Sequence, residues 1–403
     1  MRRALAPLIL ATLAACGLPE RRPLDLTAGF EVLAPLAQHD LEGFRAVDGF
    51  HSEDFQDSFE RSVAAWVVRG ADQLEPPPYR ILVLSSGGVN GAFGAGVLTA
   101  WSERGDRPDF DMVTGVSVGA LLAPFAFAGP AFDDRLEGTF RSLERADIME
   151  GKGILSSLLW DESLMESEPL ATRIAASVDG ELLAAVALRH RAGGRLYVGT
   201  TDLDRGVFVV WDLGAVADAG GPDALDLFRR VLLASASIPV VYPPVYFATA
   251  TGDEMHVDGA VTRSMFVPSG VFDVERALAA VGLDRGAMRS SMHVVHNGCL
   301  RPEPKVVQRE TVDIATRSLL LMTYAAVMEH VQGLFLVARL FDADFHFLTI
   351  PDGAELMLDS FEAADCEALY QLGRSSLLVE GWRATPPAYL ISDELLRLTG
   401  DER

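Results

Sequence analysis

Cysteine is scarce in this chain: three residues in 403, at Cys16, Cys299 and Cys366. That is too few for the disulfide framework that staples small secreted domains. No cluster has the ligand spacing of a zinc site and no loop resembles a calcium site, so neither a metal nor another cofactor is expected. Positive charge is short as well. Lys and Arg number 34 against 57 Asp and Glu, for a net charge of −23. The balance argues against nucleic acid as a partner and against docking on an anionic bilayer through a basic face. Internal repeats are missing, and so are the nucleotide-binding fingerprints. The stretch Ser86-Gly87-Gly88-Val89-Asn90-Gly91 lacks the G-x-G-x-x-G spacing, and no Lys-Ser/Thr pair follows it.

What is present begins at the N-terminus. MRRALAPLILATLAAC places Arg2 and Arg3 before an apolar run from Ala4 to Leu13 and then small residues. That is a secretory signal, too short to span a bilayer. It ends in Leu13-Ala14-Ala15-Cys16, which resembles the bacterial lipobox. The resemblance implies lipidation of Cys16 as the new N-terminus and a lipid anchor in the membrane. With Gly17 rather than Asp next, it also implies an outer-membrane location facing the periplasm. Ordinary cleavage nearby, leaving Cys16 an incidental thiol, is the alternative. Cys299 and Cys366 either pair in that compartment or stay as free thiols.

Residues 17–50 read as a tether and 52–69 as a helix, with Phe55, Phe59, Val63 and Trp66 at helical spacing. Pro76-Pro77-Pro78 then breaks the pattern. Ile81–Leu84 is a continuous apolar run, the mark of a strand buried on both faces of a parallel sheet. A helix is expected from about Ala92 to Arg104. Further strands are expected at 110–113, 195–201, 207–212, 256–258, 292–296 and 345–350, with helical patterns between them. The alternation predicts an α/β domain around a central, mostly parallel sheet. Within Val306–Leu340 the charge-free stretch Ser318–Met328 is too short to span a membrane and suits a buried core helix.

Three local features carry chemistry. The glycine-rich turn at 86–91 follows a strand and opens a helix, so it can present free backbone N–H groups to an oxyanion at the positive end of a dipole. Gly115-Val116-Ser117-Val118-Gly119 sits between a strand and an apolar helix, the setting in which a serine projects from a sharp elbow. Asp258-Gly259 ends a short strand. An Asp-Gly alone is most often a turn, but an aspartate with a raised pKa is also a competent base for a serine hydroxyl.

Together, in this order and spacing, the three resemble the patatin-like phospholipases. So do ALLAPFAFAG, TTDLDRG and LLASASIPVVYPPV. The similarity is strong from Tyr79 to Val267 and looser to about Gly381. It implies a three-layer α/β sandwich and a Ser117–Asp258 dyad. The nucleophile elbow would be framed by Gly115 and Gly119, and the dyad element completed by Gly259. Gly87, Gly88, Val89 and Gly91 would form the oxyanion hole. It further implies hydrolysis of carboxylic esters in membrane phospholipids or related lipids. Ser86 and Asn90 depart from the family pattern, which usually has glycine and a cation there, and Asp-Gly-Ala replaces Asp-Gly-Gly.

The division that follows is a signal at 1–15, a lipidated N-terminus with tether and leading helix at 16–78, the hydrolase domain at 79–381 and a tail at 382–403. Lys152–Leu170 reads as a lid, an interfacial contact or a packed cap. His256 lies two residues before Asp258 on one strand face, where it would line the site. The alternatives are a Ser-His-Asp triad through His293 or His296, and a non-catalytic lipid-binding scaffold.

Overall fold

The computed structural model describes residues 21–391 apart from 28, 38–42, 75, 142–149, 152–161 and 355–362. The signal segment, Cys16, most of the suggested lid and the chain beyond 391 lie outside the described residues.

Nine strands form one sheet: β1 (Arg45–Val47), β2 (Tyr79–Leu84), β3 (Met112–Val116), β4 (Arg195–Asp202), β5 (Val207–Asp212), β6 (Val245–Thr249), β7 (Gly252–Asp258), β8 (Ser290–His296) and β9 (Ala343–Thr349). Their order is β1-β5-β4-β3-β2-β8-β9, with β7 also beside β4 and β6 beside β7. β4, β3, β2, β8 and β9 are mutually parallel, while β1, β5, β6 and β7 join antiparallel. Ile81–Leu84, the apolar run read as a strand buried on both faces, lies in β2, which has a parallel neighbour on each side.

Alternation along the strands divides the core into two layers. Leu82, Leu84, Val113, Leu196 and Val198 face one side. There they meet α2 (Gly91–Arg104), α3 (Val118–Ala128), α4 (Gly221–Ser235) and α6 (Ala363–Ser375). Tyr79, Met112 and Tyr197 face the other side and pack on Phe55, Phe59, Val63 and Trp66 of α1 (Glu53–Gly70). Beside them, Val83, Met292 and Val294 pack on α5 (Thr311–Leu340). The result is the expected three-layer sandwich.

Two expectations change. The stretch read as a tether is part of the fold where it is described: Asp25 N–H donates to Thr251 O, and Ala37 N–H to Ala248 O. β1 then adds an antiparallel edge to β5, pairing Ala46 with Val210. The segment 318–328 is not a buried core helix. The buried residues of α5 are Val327, Val331, Leu334, Phe335 and Ala338, whereas Leu319, Leu320, Leu321 and Met322 are exposed. Only the C-terminal part of the helix has a sheet beneath it.

Candidate active site

The register of β4 explains why Ser117 and Asp258 meet. β3 runs parallel to β4 and ends with Val116 opposite Gly199. β7 runs antiparallel along the same edge and ends with Asp258 opposite Thr200. The two strands arrive head-on, one residue apart. Ser117 Oγ donates to Asp258 Oδ2 at 2.6 Å, and each residue is only 3 % exposed.

The elbow is built by close approach. A Cβ on Gly115 would lie 2.4 Å from Gly119 O, and one on Gly119 would lie 2.2 Å from Leu84 O. Larger residues would push α3 off the sheet. Ser117 itself takes φ 57°, ψ −124°, a conformation costing on the order of 1–3 kcal/mol in a non-glycine residue. A tether holds it there: Ser117 N–H donates to Ser235 Oγ at 3.0 Å, and Ser235 Oγ donates to Gly199 O at 2.7 Å. Ser235 carried no role in the sequence reading. Its serine-rich surroundings were visible, but not its position at the end of α4 under the elbow.

Asp258 accepts from Ser117 through one oxygen and from Ala260 N–H, at 2.8 Å, through the other. Burial pushes its pKa up to about 7 against these two hydrogen bonds. Near neutral pH the carboxyl group therefore both holds and releases a proton, which a base for a serine hydroxyl must do. Gly259 fits because a Cβ there would lie 2.6 Å from Gly199 O.

The glycine loop is clamped from two sides. Ser86 N–H donates to Ser264 O, and Asn297 donates to Ser85 through both its backbone and its side-chain amide. Gly87 packs so tightly that a Cβ would lie 2.0 Å from Asn297 O. Gly88, at φ 56°, is exposed with open space around it. Gly87–Val89 lead directly into a helical turn, so their N–H groups include the unpaired donors of a helix start. Gly91 differs from expectation. Its N–H is spent on Gly88 O, and its missing Cβ admits Val118 Cγ2. It seats the loop against the residue after Ser117 rather than offering a donor.

The three histidines weighed for the site take no part in the Ser117–Asp258 pair. His293 stacks on His346 at 4.3 Å and packs against Trp101. His296 Nδ1 shares a 2.9 Å hydrogen bond with Ser85 Oγ, and burial holds its pKa down at about 4. Neither bonds to Ser117 or Asp258. His256 is fully buried between Thr200 and Glu254 and lines no opening.

Asp202, Glu254 and His256 bring potential metal-ligand atoms within 4.8 Å of one another. Arg205 and Arg45 already fill that cluster: Arg205 reaches Asp202 at 2.6 Å and Glu254 at 2.9 Å, and Arg45 pairs with Glu254. Two guanidinium groups make it a closed ion-pair network, hostile to a further cation. Cys299 and Cys366 do not form a disulfide with each other. In the described part of the suggested lid, Leu164 and Met165 N–H groups bond to Val240 and Val241, and Leu170 is buried, as in a packed cap.

A buried serine–carboxylate pair beside an open glycine loop, on a three-layer α/β sandwich, brings together the parts that serine-hydrolase chemistry needs. Residues 82–269, just under half of the chain, match the family model Patatin-like phospholipase. Over that span the chain is similar to the patatin-like phospholipases, which supports a lipid hydrolase. The uncharacterized protein YqhO of Bacillus subtilis (strain 168) is 28% identical over 211 residues, covering 50% of this chain and 69% of its own. Among solved structures, VipD from Legionella pneumophila aligns with TM-score 0.31 at 14% identity, over 75% of this chain and 68% of VipD. The type III effector protein ExoU aligns with TM-score 0.28 at 14% identity, over 80% of this chain and 59% of ExoU.

Proposed function

We propose that the protein is a serine acyl hydrolase that cleaves carboxylic esters of phospholipids or related lipids. Ser117 is the nucleophile and Asp258 the general base. Ser117 Oγ attacks the ester carbonyl carbon as Asp258 takes its proton. The negative charge on the carbonyl oxygen is received by N–H groups of Gly87, Gly88 and Val89. Collapse breaks the ester C–O bond, and Asp258 returns the proton to the departing alcohol. Water then attacks the acyl-serine, Asp258 takes a proton from it, and the fatty acid leaves with Ser117 restored. The observation that carries this reading is the 2.6 Å contact between Ser117 and a buried Asp258 whose pKa sits at about 7.

Lipidation of Cys16 belongs to the same reading. A lipid anchor raises the local concentration of the domain at an outer-membrane surface without a basic face. The test of the function is hydrolysis of dispersed phospholipid, with fatty acid release measured for wild type, Ser117→Ala and Asp258→Asn. Release by wild type alone supports the reading. Undiminished release by Ser117→Ala would remove it.

A further inference from the structure

α5 is too long for the sheet it covers. At 30 residues it runs about 45 Å, while the seven residues of β9 run about 23 Å. The overhang falls on a determined side. β8 and β9 are parallel, so the helix joining them must return from the C-terminal edge of the sheet to the N-terminal edge. Ser117 and the glycine loop stand at that C-terminal edge. The point of departure is marked by His330, whose Nδ1 lies 2.9 Å from Ser264 Oγ. Ser264 O in turn accepts from Ser86 N–H. The turns of α5 that precede His330 therefore project past the sheet beside the glycine loop.

The projecting turns have an unusual surface. Leu319, Leu320, Leu321 and Met322 are consecutive, so at 100° per residue they point around the whole helix, and all four are exposed. Val312 and Ile314 add exposed apolar surface nearer the tip. Single exposed apolar residues are ordinary, but a contiguous patch marks an interaction site. A partner protein or a second copy would cover one stripe of the helix and leave the rest in water. A helix apolar on every side suits a medium that is apolar on every side. The charges flanking the apolar turns are already engaged: Lys305 pairs with Asp313 at 3.3 Å, and Arg317 donates to Glu303 O at 2.8 Å. The charge-free stretch Ser318–Met328 is about 16 Å long, close to half the roughly 30 Å hydrocarbon core.

We propose that the overhanging turns of α5, centred on residues 318–326, dock the protein on a lipid surface. They enter the acyl layer of one leaflet and hold the catalytic edge against it. With a net charge of −23, the chain fits a zwitterionic surface, where insertion is driven by apolar burial and not opposed by surface charge. The inference rests on the hydrolase reading for the purpose of docking, while its test reads lipid contact without turnover.

The experiment places a tryptophan in the prong, Leu321→Trp, in the full-length Ser117→Ala chain. Its emission is measured as the difference from the parent with vesicles of brominated phosphatidylcholine. A Val379→Trp variant, at another exposed apolar position after α6, is the control. The expected result is a blue shift and at least about twofold quenching at position 321, with neither at 379. An unquenched 321 overturns the proposal. So does a blue shift before vesicles are added together with a doubled solution mass, because a second copy then covers the helix. In the active chain, Leu320→Glu with Leu321→Glu is expected to lower hydrolysis of phosphatidylcholine vesicles at least about tenfold. Hydrolysis of a soluble short-chain ester should be unchanged. Equal effects on both substrates, or none on either, contradict docking. Activity that persists in Ser117→Ala would instead sink the hydrolase reading and leave the quenching result standing.

Discussion

Two carboxylates on β7, Glu254 and Asp258, share a strand face, and both are buried, yet they sit at opposite ends of the titration range. Burial pushes Glu254 up, but the hydrogen bond with His256 and the guanidinium of Arg45 overcome it and hold the group at about 2. Asp258 feels the same burial without any ion-pairing cation among the described residues, and stands at about 7. Depth alone therefore does not make a base. The partner set does: guanidinium groups lock one carboxylate as a structural anion, while a hydroxyl and one amide leave the other free to cycle a proton.

The largest effect should come from Asp258→Asn, which keeps the shape and removes the base. The account expects a fall of roughly 10³–10⁴ in kcat/KM on a soluble ester. A decrease under about tenfold would mean that Ser117 finds its base elsewhere.

Glu254→Gln attacks the other end of the strand. It leaves Arg45 and Arg205 partly uncompensated in a buried network, at a cost of about 3–5 kcal/mol in denaturant unfolding. The pH dependence of turnover should keep its midpoint, because Glu254 does not touch Ser117.

The two carboxylates should also give opposite slopes of stability against pH. Asp258 has a folded pKa above its unfolded value near 3.8. Its favourable contribution is full below about pH 4 and is lost as pH rises through about 7. Glu254 is depressed from 4.5, so its contribution is present above about pH 4.5 and lost as pH falls through about 2. Asp258→Asn should therefore be more stable than wild type at pH 8 and lose that advantage towards pH 4. Parallel melting curves of the two proteins across that range would contradict the assignment.

The smallest expected effect belongs to Ser235→Ala. Ser117 N–H loses its acceptor, which should cost about 1–2 kcal/mol of stability. Turnover should fall about tenfold through a less well-held elbow, with KM little changed. An unchanged kcat would make Ser235 a purely structural residue.

Much of this arrangement was legible because it is local. The apolar run at 81–84, the glycines bracketing Ser117 and the Asp258-Gly259 turn each declare a backbone constraint within a few residues. What stayed hidden depends on distance or exposure. The network of Arg45, Asp202, Arg205 and Glu254 joins residues up to 209 positions apart. β1 is only three residues long and sits at an edge, and β6 follows Pro243-Pro244, so neither offered a clear strand pattern. The prong of α5 misled most, because an apolar helix has the same composition whether the core covers it or leaves it exposed. Gly91 fell between these cases. The sequence marked it as a special glycine but did not tell its steric role from a donor's.

The most direct test of the central claim is the rate at which a fluorophosphonate labels Ser117, measured from pH 5 to 9 with the labelled peptide mapped. The account predicts a sigmoidal rise with a midpoint near 7 in wild type and in Glu254→Gln, and near-complete loss in Asp258→Asn. Labelling of Ser117 at an undiminished rate in Asp258→Asn, with the same pH dependence, would show that Asp258 is not the group that activates the serine.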